Sequence, residues 1–121
     1  MKTLSLFDNV LIISGQAIEV ADIQDFLSLR QAANVVPMLT VDEAIRYMAS
    51  DNPRFTLAVL ATTEGAATQA VIEHMAHIDV PVILINGHAP DQFDPAKLAF
   101  IARPFTSDDL ENAILKFAAP A

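Results

Sequence analysis

Short apolar runs recur along the chain, separated by segments whose apolar residues fall at helical spacing. The runs are "VLIIS" (Val10 to Ser14), "VVPML" (Val35 to Leu39), "TLAVLA" (Thr56 to Ala61), "VPVILING" (Val80 to Gly87) and the brief "FIA" (Phe100 to Ala102). Unbroken runs of branched residues predict strands buried on both faces. Pro37 lacks an N–H and cannot serve a central ladder, so the second strand is expected at a sheet edge.

Between the runs, "ADIQDFLSLRQAA" from Ala21 places Ile23, Phe26, Leu27 and Arg30 on one helical face, with Asp22 and Asp25 near its positive end. "TVDEAIRYMAS" opens with a capping box, Thr40 and Glu43, and carries Val41, Ala44, Ile45 and Met48 on one stripe. Ala67 to His77 predicts a helix with Val71, Met75 and Ile78 facing inward. "HAPDQFDPAKLA" is polar and proline-broken, and allows at most a short helix after Asp94. Thr106 or Ser107 caps a last helix with Leu110, Ile114 and Phe117 on one face.

Strands alternating with amphipathic helices imply an α/β domain: a parallel sheet covered on both sides, spanning residues 1–121 as one unit. In such sheets chemistry gathers at the carboxyl ends of the strands. Here those ends read Ser14-Gly15, Leu39-Thr40, Ala61-Thr62, Asn86-Gly87 and Arg103-Pro104.

Charge narrows the partners. Seven Lys+Arg stand against fifteen Asp+Glu, a formal net charge of −8. Such a surface repels phosphate backbones and anionic lipid, so neither nucleic acid nor a membrane is an expected partner. The absence of cysteine removes disulfides, thiolate metal sites and a Cys nucleophile. "MKTLSLFDN" lacks the apolar core of a signal peptide, and a cytoplasmic location is expected.

Catalytic chemistry has little to build on. His74 and His77 lie one helical turn apart beside Glu73, but no third metal ligand is evident. His88, Asp91 and Asp94 share a loop whose side chains could bind a cation, though an ordinary polar loop is the expectation. "ISGQ" is neither a nucleophile elbow nor a phosphate-cradling loop. No acid–base pair stands out. The expectation is a non-enzyme without metal or cofactor.

The order of elements, "VPVILING" and above all "ARPF" (Ala102 to Phe105) resemble the receiver domain of two-component response regulators, which carry Lys-Pro-Phe at the latter place. The resemblance implies a doubly wound (βα)5 fold with strand order 2-1-3-4-5. It also implies phosphoryl transfer from a histidine kinase to an Asp, with Mg²⁺ held by an acidic pair, a Thr or Ser ending the fourth strand and a Lys ending the fifth. Carried over, the acidic pair falls on Ser14 and Gly15, the acceptor on Ala61 (or Thr62, one residue on), the hydroxyl on Asn86 and the lysine on Arg103. The metal ligands and the acceptor are all missing, so the chain resembles a degenerate receiver. The lost acids and the Pro-rich segment are similar to the atypical N-terminal domains of sigma-54-dependent flagellar and biofilm master regulators.

Two readings follow. The first is a phosphorylation-independent interaction module, docking a protein or a second copy through the segment after the fourth strand, the fifth strand and the last helix. Phe100 stands where receivers carry a switch aromatic, as a core or an interface residue. The second is a sensor of a small anion or nucleotide near Arg103, since a cation beside free backbone N–H groups suits an anion. Arg103 otherwise pairs with a carboxylate or serves an interface.

Overall fold

The computed structural model describes residues 7–30, 32, 34–51, 54–61, 65–85, 97–102 and 105–118. Five strands, β1 (Val10–Ser14), β2 (Val35–Met38), β3 (Leu57–Ala61), β4 (Val82–Ile85) and β5 (Leu98–Ile101), form one sheet in the order β2-β1-β3-β4-β5. All four neighbouring pairs are parallel. The described helices are α1 (Ala17–Leu29), α2 (Val41–Asp51), α3 (Gly65–His77) and α4 (Ser107–Ala118). The expected fold class and strand order are those observed. The short helix expected after Asp94 lies outside the described residues.

Alternation along the strands sorts the side chains into two cores. Val10, Ile12, Val59, Ile83 and Ile101 pack under α1 and α4, through Ile23, Phe26, Leu110 and Ile114. Leu11, Ile13, Leu60, Leu84 and Leu98 pack under α2 and α3, through Val41, Ala44, Ile72 and Met75. β1, β3 and β4 are buried along their whole length, as unbroken apolar runs require in a two-sided sheet. Each fully buried Leu or Ile contributes about 1.5–3 kcal/mol of transfer free energy, so the sheet layer dominates stability.

Several boundaries move for physical reasons. α1 begins at Ala17, four residues before the sequence reading placed it. Asp22 and Asp25 are therefore exposed mid-helix residues, and Glu19 is the acid of the first turn. β5 begins at Leu98, because Leu98 and Ala99 are buried strand residues rather than the tail of a helix. Ile78 follows α3 and is 38% exposed, not an inward residue. Both predicted caps form: the Glu43 N–H donates to Thr40 Oγ1 at 3.2 Å, and the Asp109 N–H donates to Thr106 Oγ1 at 3.3 Å.

Pro37 lies on the β2 edge strand, opposite Ile12. The Val10 N–H donates to the Asn34 carbonyl at 2.9 Å. Because a parallel strand aims successive residues' polar groups to opposite sides, Val36 and Met38 serve β1 while Val35 and Pro37 face outward. The missing N–H thus falls on the row without a partner strand.

Candidate functional site

Ser14 and Ala61 end β1 and β3 side by side, in register. Both are buried, and both belong to the face covered by α1, since Val10, Ile12, Val59 and Ala61 share that core. Of the five positions singled out in the sequence, Ser14 and Ala61 are neighbours, and Gly15 follows Ser14 on the surface. Asn86 and Arg103 lie outside the described residues, as do Thr62, Glu64, His88, Asp91 and Asp94.

Ser14 meets Glu19. The early start of α1 brings this residue back over the end of β1, where it is only 7% exposed. The Ser14 hydroxyl donates to Glu19 Oε1 at 2.8 Å, and the Gln16 N–H donates to Ser14 Oγ at 3.1 Å. A buried carboxylate is costly unless hydrogen-bonded. The serine supplies one such bond, the positive end of α1 adds a favourable field, and Ser14 is not the sole interaction Glu19 makes. In the sequence Glu19 is merely the first acid after Ser14. Its burial shows only once the helix is known to start at Ala17.

This donor set does not fit the Mg²⁺ that the resemblance implies. Ser14, Gly15 and Ala61 offer no carboxylate, and no group of three metal-ligating side chains occurs among the described residues. Among the described residues, a Cβ at Gly15 would meet the Leu39 carbonyl at 4.0 Å, an ordinary van der Waals contact. His74 is half-buried and His77 exposed at the negative end of α3.

Two features lie away from the strand ends. Phe100 is 58% exposed at the middle of β5. Beside it runs a groove of about 600 Å³ between β5 and the Asp109, Asn112 and Lys116 row of α4. Lys116 Nζ donates to the Leu98 carbonyl at 2.5 Å. On the opposite flank of α4, Glu111 pairs with Arg30, whose Nε donates at 2.6 Å and whose guanidinium lies 3.9 Å from the Phe26 ring centroid. That pair is 81 residues apart in sequence, and no local pattern announces it.

No protein-family model matches the chain, and no curated protein is similar to it in sequence. Solved structures do match. SdrG from Sphingomonas melonis is 21% identical, with a TM-score of 0.71, over 96% of this chain and all of that one. A response regulator receiver protein from Sinorhizobium medicae is 20% identical, with a TM-score of 0.71, over 91% of this chain and 93% of that one. A chain of the CheX-CheY-BeF3-Mg+2 complex from Borrelia burgdorferi is 16% identical, with a TM-score of 0.68, over 93% and 90%. Sheet order, helix placement and these matches agree that the chain has the fold of response regulator receiver domains.

Proposed function

We propose that this chain is a receiver-like signalling module that works without phosphorylation, as a non-catalytic domain that binds a protein partner or a second copy of itself through β5 and α4. The observation that carries the reading is the Ser14–Glu19 hydrogen bond beside Ala61. Where a receiver needs a metal-binding acidic pair and an acceptor Asp, this chain has a hydroxyl, a glycine and a methyl group. The carboxylate that reaches the site is held by a serine.

An anion sensor centred on Arg103 is the second reading; Arg103 lies outside the described residues. Phosphorylation independence is tested with acetyl phosphate and Mg²⁺, followed by intact-mass spectrometry. The expected result is an unchanged mass. A gain of one phosphoryl group would overturn the reading.

A further inference from the structure

We infer that two copies of this chain join edge to edge, β5 against β5 in antiparallel pairing across a twofold axis at Phe100, making one continuous sheet of both copies. This rests on reading the chain as an interaction module, and it specifies the occupant of the β5 face and the geometry of its docking.

The backbone supplies the first argument. β5 pairs with β4 on one side only and ends the sheet. Lys116 occupies the Leu98 carbonyl from the far side of the strand, so Leu98, Phe100 and Ala102 aim their polar groups outward while Ala99 and Ile101 serve β4. Among the described residues, the N–H and C=O of Phe100 thus face away from β4 with no further strand beside them, on an edge that flanks the groove. An antiparallel partner centred on the same residue satisfies both at once, because a hydrogen-bonded pair exchanges two N–H···O bonds.

The ring supplies the second. Phe100 sits over the α2–α3 side of the sheet, the side on which Leu98 is buried, yet it is more than half exposed. Residues directly opposite in an antiparallel pair project to the same face. The two Phe100 rings would therefore meet at the axis and cover each other as an aromatic cross-strand pair.

Local charge on this face supplies the third and favours a second copy. α4 runs back along β5, with Lys116 at the Leu98 end and Asp109 about two turns earlier, near Ala102. A twofold axis at Phe100 exchanges the ends. It carries Lys116 of each copy towards Asp109 of the other and leaves Asn112 near the middle facing its own counterpart. A surface whose charges complement their own twofold image is what an isologous interface requires.

Sedimentation velocity from low micromolar to submillimolar concentration tests the proposal. The wild-type chain is expected to pass from monomer to dimer. Phe100→Pro removes an N–H that serves no ladder within the chain, so circular dichroism should be preserved while the dimer is lost. Lys116→Glu should weaken the dimer about tenfold.

Because the chain has no cysteine, Phe100→Cys provides a geometric readout. Under a mild thiol oxidant it should give a disulfide-linked dimer, since Cα atoms in a hydrogen-bonded antiparallel pair lie about 5.5 Å apart. Ile45→Cys on α2 should not. A wild type that stays monomeric, a folded Phe100→Pro variant that still dimerises, or a Phe100→Cys variant that does not cross-link would each overturn the proposal. None of these results depends on the acetyl phosphate experiment, which reads the mass of the chain.

Discussion

Ser14 and Glu19 form a small buried polar couple in an otherwise apolar layer. Removing one partner of such a bond leaves the other desolvated and less satisfied, which costs about 1–3 kcal/mol. Ser14→Ala should lower stability by that amount, read as a shift in the urea midpoint with an unchanged slope. An unchanged midpoint would show that the hydroxyl does not satisfy the carboxylate. The identities at this site were readable in the sequence because strand ends are readable. Ser14 and Ala61 close unbroken apolar runs, and the structure pairs them. Glu19 was not, because its exposed neighbour Ile18 and its own burial invert the usual helical pattern. The apolar stripe becomes regular only later, with Ile23, Phe26 and Leu27.

Among the elements, α1 and α4 are joined by a contact of different character from the cores beneath them. Arg30 ends α1 between the Phe26 ring and the Glu111 carboxylate, and the two charged side chains are 31% and 40% exposed. Partial exposure limits the coupling. A double-mutant cycle with Arg30→Met and Glu111→Gln should give about 0.5–1 kcal/mol, shrinking as salt is added. A coupling that salt does not change would mean packing rather than charge holds the two helices together. Elements declared by local chemistry were legible: the Thr40 and Thr106 caps, and the edge position of Pro37. Those set by partners distant in sequence were not. The start of β5 was hidden because "KLAFIA" suits a helix tail until Leu98 is seen packed with Val82 and Leu84.

For the whole molecule, a formal charge of −8 on 121 residues produces self-repulsion that favours expansion. Raising monovalent salt from low to physiological ionic strength should therefore raise the melting temperature of the monomeric Phe100→Pro variant, by screening that repulsion. A flat or falling melting temperature would show that local ion pairs such as Arg30–Glu111 outweigh it. The two ends of the sheet are not equivalent. At the β2 edge the outward row holds Pro37, and among the described residues of β2 only Val35 offers a donor there. That edge behaves as a chain stopper. In the vocabulary of polymerisation the molecule is a monofunctional monomer: one reactive end is consumed when two copies join, and none is left to propagate. Edge-to-edge growth then terminates at two, so raising the concentration should fill a dimer rather than build a fibre.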